Sequence, residues 1–266
     1  MAGRPASGPD AAELLALAVE AARTAGEMLR ERFQRGAERT LATKTTPTDL
    51  VSEADLTSER AIRKLLAERR PDDGFLGEES GEGEAGASGL RWVVDPLDAT
   101  VNFLFAIPHW CVSVAVEDGQ GALAGAIFDP MREELFCARR DGPVELDGRA
   151  VSASSCEDLA TAMVATGFAY GADVRAEQAK VIERLLPRVR DVRRFGSAAL
   201  DLAWTAAGRY DAYFERTVKP WDIAAGRLMC ERAGLAVHEL PDRPGLPWGV
   251  LAAPRGLDRA LLELVG

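Results

Sequence analysis

The spacing of apolar residues predicts two long helices in the first quarter of the chain. From Asp10 to Phe33, apolar side chains recur at helical spacing behind an acidic residue suited to an N-cap. The apolar face consists of Leu15, Ala18, Ala22, Ala25 and Leu29. A second helix is predicted from about Ser52 until Pro71 stops it. Residues 1–9 contain no apolar run and are predicted to be a disordered leader.

Beyond Gly74 the pattern changes to short strands. The runs GFLG and WVVDP come first, and three strands at hairpin spacing follow: WCVSVAVE, GALAGAIFD and ELFCARR. Turn residues separate these three, so they predict an antiparallel meander. Later, strands alternate with helices, one of them predicted over 173–186, which is typical of a layered α/β arrangement. We therefore predict an α+β half over 10–150 and an α/β half over 151–266.

Composition excludes several classes of protein. The chain has 266 residues, 47% of them hydrophobic, which is enough to bury a full core. Its 32 basic and 42 acidic residues give a net charge of -10, unlike the basic surface of a protein that binds nucleic acid or anionic membranes. Residues 99–116 carry no charged side chain, but Asn102, Pro108, His109 and Ser113 argue against a membrane span. Neither nucleic acid nor membrane is predicted as a partner.

The four cysteines are widely spaced and form no C-x-x-C pair, so neither a zinc cage nor a dithiol redox motif is predicted. They are interpreted as reduced thiols of a cytoplasmic protein. The N-terminus has no apolar segment typical of a signal peptide, which also favours the cytoplasm. Both histidines, His109 and His238, are interpreted as structural, and no partner is predicted for His238.

Several carboxylates stand at the ends of predicted elements. Glu78 follows the strand GFLG, Asp95 and Asp98 follow WVV, and Asp55 and Asp222 lie at the start of helices. Each alone is consistent with a helix cap or a solvated turn. The pair in WVVDPLDATVNF is different, because a cap needs only one carboxylate and these two follow a buried run directly.

Oxygen ligands without a nearby His or Cys set form a site for Mg²⁺, Mn²⁺ or Ca²⁺. A helix that begins near Asp98 would also present the N–H groups of Ala99 and Thr100 to an anion. The residues alone therefore predict a site for a cation and a phosphate at this stretch.

Four segments, GEES, WVVDPLDATVNF, FGSAALDLAWTAAGRYDAYFE and KPWDIAAG, together resemble the inositol monophosphatase family of magnesium-dependent, lithium-sensitive sugar phosphatases. The resemblance extends in order from about residue 10 to the end of the chain. It implies a five-layer αβαβα sandwich, a homodimer, and an active site between the two halves. It also implies two or three Mg²⁺ ions per site, Mn²⁺ as a possible substitute, and inhibition by Li⁺.

The resemblance further implies a set of metal ligands. Glu78, Asp95 and the backbone carbonyl of Leu97 would hold the first Mg²⁺, and a third, weaker ion would join near Glu78. Asp95, Asp98 and Asp222 would hold the second, so that Asp95 bridges the pair. Most of these ligands lie in the first half of the chain.

The catalytic and substrate-binding residues follow from the same resemblance. Thr100 and Asp55 would orient and deprotonate the attacking water, next to Glu78. The polyol phosphate would contact Asp98, Ala99, Thr100, Gly196, Ser197, Ala198, Glu215 and Asp222. Lys44 matches a basic position of the family near the metals.

This chain departs from the family pattern at Ala99, where the motif usually has glycine, and at Ala106. We expect the backbone at Ala99 to be helical, so that alanine fits without strain. The alternative is that its methyl group crowds the phosphate and weakens activity.

The predicted function is magnesium-dependent hydrolysis of a small polyol phosphate, with inositol 1-phosphate as the first candidate. Hydrolysis of histidinol phosphate, fructose 1,6-bisphosphate or 3′-phosphoadenosine phosphate is the enzymatic alternative. A regulatory or binding protein that keeps the fold with low activity is the alternative from another class, and Ala99 motivates it.

Overall fold

The computed structural model describes residues 10–36, 42–43, 50–81, 83 and 85–266. The predicted leader, residues 1–9, and Lys44 lie outside the described residues. No helix in the described ranges is long and apolar enough to cross a membrane.

Seven helices are described: α1 (Ala11–Gln34), α2 (Glu53–Arg69), α3 (Thr100–Leu104), α4 (Ala172–Leu185), α5 (Ala198–Ala206), α6 (Pro220–Arg232) and α7 (Asp258–Val265). The predicted helices were right in place and extent. Asp10 caps α1 by accepting a hydrogen bond from the Ala12 N–H at 2.9 Å. The helix predicted over 173–186 is α4.

Fourteen strands accompany the described helices: β1 (Ala42–Thr43), β2 (Leu50–Val51), β3 (Gly74–Gly77), β4 (Arg91–Asp98), β5 (Cys111–Asp118), β6 (Gly121–Asp129), β7 (Glu134–Arg139), β8 (Val144–Leu146), β9 (Arg149–Ala150), β10 (Met163–Thr166), β11 (Asp191–Arg193), β12 (Ala212–Arg216), β13 (Ala236–Leu240) and β14 (Gly249–Ala253). β1 and β2 form a small antiparallel pair. The others form two large sheets.

The larger sheet has seven strands in chain order, β3-β4-β5-β6-β7-β8-β9. The pair β3–β4 is parallel, and every later pair is antiparallel. The predicted meander is thus confirmed as β5, β6 and β7. The smaller sheet has the order β11-β10-β12-β14-β13, in which β10, β11 and β12 run parallel.

The helices form three layers around these sheets. α1 and α2 cover one face of the larger sheet, and α5 and α6 lie between the two sheets. α4 and α7 cover the outer face of the smaller sheet. This is the predicted five-layer αβαβα sandwich. The division into two halves stays a prediction, because α6 packs against strands of both sheets.

Candidate active site

Asp95 and Asp98 lie on β4 at an irregularity in its pairing with β5. Asp95 pairs with Ser113 and Asp98 pairs with Cys111, so three steps along β4 match two steps along β5. In a regular strand, side chains three positions apart point to opposite faces. The extra residue of the bulge reverses this alternation and brings both carboxylates to one side. Pro96, inside the bulge, has no N–H to lose from the ladder.

The Asp98 carboxylate is held through one of its oxygens. Oδ2 accepts hydrogen bonds from the Ser197 hydroxyl and from the Ala199 N–H, the latter at 2.8 Å. Cys111 Sγ lies 3.8 Å from the same oxygen. Ser197 also caps α5, since its Oγ accepts from the Leu200 N–H at 3.2 Å. Three donors on Oδ2 leave Oδ1 as the oxygen that can bind a cation or a substrate hydroxyl.

Asp55 and Thr100 form a buried pair beside this strand. Thr100 Oγ1 lies 2.7 Å from Asp55 Oδ1 and 3.1 Å from the Leu97 carbonyl oxygen. A hydroxyl has one proton, and the nearer, charged acceptor takes it. The other Asp55 oxygen accepts from the Ser52 N–H and hydroxyl in the capping box of α2. Asp55 therefore contacts Thr100, which lines the cavity, and does not line the cavity itself.

Glu78 extends from the turn that follows β3. Its N–H donates to the Val94 carbonyl at 3.2 Å, which fixes the turn against β4. Glu59 of α2 stabilises the same turn, because its carboxylate accepts a hydrogen bond from the Glu79 N–H at 2.8 Å. A Cβ on Gly77 would lie 2.3 Å from the Glu59 carboxylate, so glycine is required for this close approach.

The smaller sheet contributes the opposite side of the site. β10, β11 and β12 are parallel, so the residues at their carboxyl ends meet at one edge. These residues are Gly167, Arg194 and Glu215. A Cβ on Gly167 would lie 2.0 Å from Glu215 Oε1, and the Tyr213 hydroxyl donates to Glu215 Oε2 at 3.0 Å. Asp222 joins from the first turn of α6, where its Oδ2 accepts the Lys219 N–H at 2.6 Å.

Both sides line one cavity of about 530 Å³. Most of the predicted site residues contribute to its surface: Glu78, Asp95, Leu97, Asp98, Ala99, Thr100, Gly196, Ala198, Glu215 and Asp222. Ser197 does not, because its side chain is fully buried and turned to Asp98. The Ser197 hydroxyl therefore contacts Asp98 and not the cavity, and the substrate contacts of all these residues stay a prediction.

The carboxylates strongly perturb one another. Burial raises the pKa of the Asp95 carboxyl well above its ordinary value, and the negative charges of Glu78, Asp98 and Asp222 raise it further. Burial, followed by the charges of Glu78 and Asp98, raises the pKa of Asp222 in the same way. Burial also raises the pKa of the Glu215 carboxyl to about 7, against the hydrogen bond from Tyr213 and the charge of Arg194.

This donor set fits a hard cation, because a positive charge would offset the repulsion among buried carboxylates and oxygen is the ligand that Mg²⁺ prefers. Within the described part of the chain, no three His, Cys, Asp or Glu side chains are already gathered closely enough to hold a metal ion. The carboxylates instead stand around the cavity wall, and the metal ligands stay a prediction.

Known proteins share this arrangement over nearly the whole chain. The sequence profile of the inositol monophosphatase family matches residues 10–265. This chain belongs to the inositol monophosphatase family.

Three members illustrate the similarity. Inositol-1-monophosphatase of Mycobacterium leprae is 44% identical over 231 residues, 82% of this chain and 79% of that protein. Nus factor SuhB of Xylella fastidiosa is 42% identical over 217 residues, 81% of this chain and 78% of that protein. The crystal structure of extragenic suppressor protein suhB from Bartonella henselae has a TM-score of 0.86 at 33% identity, covering 95% of this chain and 98% of that chain.

The structure contradicts our expectation for the backbone of Ala99, the residue at which this chain departs from the inositol monophosphatase pattern. We predicted a helical backbone there, but Ala99 has φ 74° and ψ 47°, in the left-handed region, immediately before α3. Ala106 also has a positive φ, 57°. A left-handed backbone brings Cβ close to the next carbonyl oxygen, which costs an L-residue about 1–2 kcal/mol. Both alanines therefore occupy positions that favour glycine, and the expectation of an unstrained Ala99 was wrong.

Several supporting residues escaped the sequence prediction. Ser52 is bonded to Asp55, Tyr213 to Glu215, and Glu59 to the residue after Glu78. Of these three supporting residues, only Tyr213 lies within the quoted family motifs. The signal for Glu59 was its helical spacing from Asp55, which places both acids on the buried side of α2. His238, predicted to have no partner, in fact lies 2.8 Å from Asp258 through its Nε2, and this prediction was wrong.

Proposed function

We propose that this protein is a magnesium-dependent phosphomonoesterase that hydrolyses a small polyol phosphate, with inositol 1-phosphate as the first candidate. Membership of the inositol monophosphatase family supports a phosphatase. The observation that carries the proposal is that Asp95 and Asp98 of the larger sheet and Asp222 of helix α6 line the same cavity as Thr100.

The proposed ligands are those expected from the family. Glu78, Asp95 and the Leu97 carbonyl would hold one Mg²⁺, and Asp95, Asp98 and Asp222 would hold another. Bound Mg²⁺ would supply positive charge to the phosphoryl oxygens and lower the pKa of the attacking water. Asp98 is ready for this role, because its Oδ2 is committed to Ser197 and Ala199 while Oδ1 is available.

The chain's own proton acceptor is the Asp55–Thr100 pair. Thr100 donates its proton to Asp55, so a lone pair of Oγ1 can accept a hydrogen bond from water in the cavity. As water loses a proton to Oγ1, the hydroxyl proton passes to Asp55 Oδ1, 2.7 Å away. The two residues thus orient the water and receive its proton.

The polyol would bind at the edge of the smaller sheet. The Glu215 carboxylate is fixed by Tyr213 and by its contact with Gly167, so it can accept hydrogen bonds from ring hydroxyls. Gly196 and Ala198 present backbone at the start of α5. Ser197 contributes indirectly, through Asp98.

Release of inorganic phosphate from a panel of esters tests the proposal. The panel contains inositol 1-phosphate, histidinol phosphate, fructose 1,6-bisphosphate and 3′-phosphoadenosine phosphate, each with Mg²⁺, with Mn²⁺ and with EDTA. We expect release from inositol 1-phosphate with either metal, and inhibition by Li⁺ that added substrate does not relieve. Release from inositol 1-phosphate that is equal with and without EDTA would exclude the metal-dependent reaction.

We also propose a cytoplasmic homodimer. Phe105, Ile107 and Phe195 are large apolar residues exposed at 67%, 47% and 42%. Asn102 joins their loops, because its Nδ2 donates to the His109 and Phe195 carbonyls at 2.8 and 2.7 Å. One apolar surface of this kind suits a second copy of the chain. Sedimentation should show a dimer that Phe105→Asp dissociates; a monomeric parent at micromolar concentration would contradict it.

A regulatory role is the second candidate. The relative from Xylella fastidiosa is named a Nus factor, and the strained Ala99 lies in the motif that contacts the phosphate in our proposal. A protein of this kind would bind Mg²⁺ without releasing phosphate from any ester in the panel. Calorimetric titration with Mg²⁺ beside the release assay separates the two candidates.

A further inference from the structure

Arg194 lies on the wall of the cavity and carries the only guanidinium among its described lining residues. It is exposed, and among the described residues it forms neither a hydrogen bond nor an ion pair. Its neighbour Arg193, in contrast, is paired with Asp191 and does not line the cavity. An unpaired guanidinium facing a ligand cavity is a candidate for binding an anion.

The backbone around Arg194 gives the guanidinium a defined place. Gly196 has φ 91°, a left-handed backbone that favours glycine, and a Cβ there would lie 2.7 Å from Arg194 Nη1, so the guanidinium lies against this glycine. On the other side, the guanidinium lies 5.8 Å from the centre of the Phe168 ring. Both neighbours also line the cavity. The guanidinium therefore lies between Gly196 and Phe168, and its remaining side faces the cavity.

Arg194 acts at the polyol end of the cavity rather than at the proposed metal end. Its positive charge lowers the pKa of Glu215 and of the buried Asp201. The charges that act most on the pKa of Asp95 are those of Glu78 and Asp98. Lys219, the other basic residue that lines the cavity, has its backbone N–H bonded to Asp222.

We propose that Arg194 binds a second anionic group of the substrate, on the side of the polyol away from the phosphate ester that is cleaved. The substrate class is then a polyol or sugar phosphate that carries a second phosphate or a carboxylate. A guanidinium offers a planar fork of donors that matches either group. A cavity of about 530 Å³ is within the usual range for small-molecule sites, about 300–1,000 Å³. The inference rests on the proposed phosphatase function and narrows its substrate class.

The test compares two matched substrates in four proteins. We would measure kcat/KM for inositol 1-phosphate and for inositol 1,4-bisphosphate with the parent, Arg194→Ala, Arg194→Lys and Arg193→Ala. The parent should favour the bisphosphate, and Arg194→Ala should lower the ratio of the two values about tenfold or more, mainly through KM. Arg194→Lys should lower it less. Arg193→Ala removes the same charge one residue away and should leave the ratio unchanged.

A second pair identifies the anion. Glucuronate 1-phosphate and glucose 1-phosphate differ only by a carboxylate at the far end of the sugar. If Arg194→Ala lowers the kcat/KM ratio for both substrate pairs, the site binds either a phosphate or a carboxylate. If it lowers the ratio only for the inositol phosphates, the site is a phosphate subsite. An equal fall in Arg193→Ala, or no fall in Arg194→Ala, overturns the inference.

Binding measurements test the role of Arg194 even if the protein is not a phosphatase. If the parent releases no phosphate, the same inositol phosphates can be titrated calorimetrically into the parent and Arg194→Ala with Mg²⁺ present. Tighter binding of the bisphosphate that disappears in Arg194→Ala supports the subsite. Equal affinities in the two proteins contradict it.

Discussion

The two walls of the cavity hold their functional groups in different ways. On the wall from the larger sheet, Asp98 Oδ2 accepts hydrogen bonds from buried protein donors, and Thr100 donates to Asp55, whose other oxygen is bonded to Ser52 behind the wall. On the wall from the smaller sheet, Glu215 has one hydrogen bond, from Tyr213, and Arg194 faces the cavity without a hydrogen bond or ion pair among the described residues. The first wall is fixed before any ligand binds, which suits metal ions and an attacking water. The second leaves polar groups for the substrate.

The largest expected effect comes from the first wall. Asp95→Asn removes the proposed bridging ligand and should lower turnover about a thousandfold or more, since the charge that stabilises the transition state is no longer held. The variant should stay folded, because burial raises the pKa of Asp95 and a neutral side chain relieves repulsion there. Phosphate release and thermal unfolding measure the two effects.

The matched control is Asp201→Asn. Asp201 is also buried with a raised pKa, but it does not line the cavity and neither oxygen has a protein hydrogen-bond partner in the described structure. The variant Asp201→Asn should therefore keep the turnover of the parent. Near-parental activity in Asp95→Asn would refute the bridging role.

Thr100→Val tests the proton acceptor of the same wall. Valine keeps the volume but removes the hydroxyl between water and Asp55, and we expect kcat to fall about a hundredfold to a thousandfold. Thr205→Val in α5 is the control, because Thr205 is equally buried and its hydroxyl bonds only to the Asp201 carbonyl. Equal activity of the two variants would exclude Thr100 from the reaction.

Glu215 on the second wall should make stability depend on pH. Its pKa rises from the ordinary 4.5 to about 7 on folding, so the native state binds more protons between these values and stability falls as pH rises through them. Glu215→Gln should remove this loss. The free energy of unfolding of the variant, relative to that of the parent, should therefore rise by up to about 3 kcal/mol between pH 4.5 and pH 7. Denaturant unfolding in EDTA measures the difference. A Glu215→Gln difference that does not change with pH would contradict the raised pKa.

The two strained alanines give the smallest effect. Ala99→Gly and Ala106→Gly should each stabilise the protein by about 1 kcal/mol, since relief of the left-handed strain exceeds the entropy gained by the unfolded chain. Ala99 lines the cavity and Ala106 does not. Because Gly and Ala share the same backbone angles there, turnover should change less than about tenfold in both. A gain in turnover of more than tenfold in Ala99→Gly alone would support the alternative that the methyl group of Ala99 weakens activity.

Local chemistry made much of the fold predictable. Helical spacing, an N-cap at Asp10 and turn residues between strands act over a few residues, and α1, α4 and the β5–β7 meander followed from them. The carboxylates at element ends likewise indicated the cavity. Pro96 inside an apolar strand was an unused signal of the bulge that aligns Asp95 with Asp98.

Long-range contacts and backbone angles were not predictable in this way. Ser197 and Asp98 are 99 residues apart, and only packing of α5 against the larger sheet brings them together. Ala99 is the opposite case, because alanine's own preference is helical and the left-handed angle is imposed by the chain around it. The glycine usual in the family was the better guide.

The central claim is that the cavity is a magnesium-dependent phosphatase site, and one measurement tests it most directly. Inositol 1-phosphate is incubated with the same preparation in EDTA and then in excess Mg²⁺, and inorganic phosphate is followed throughout. We predict no release in EDTA and immediate release once Mg²⁺ is in excess. No release at any Mg²⁺ concentration, or release that continues undiminished in EDTA, would contradict the account.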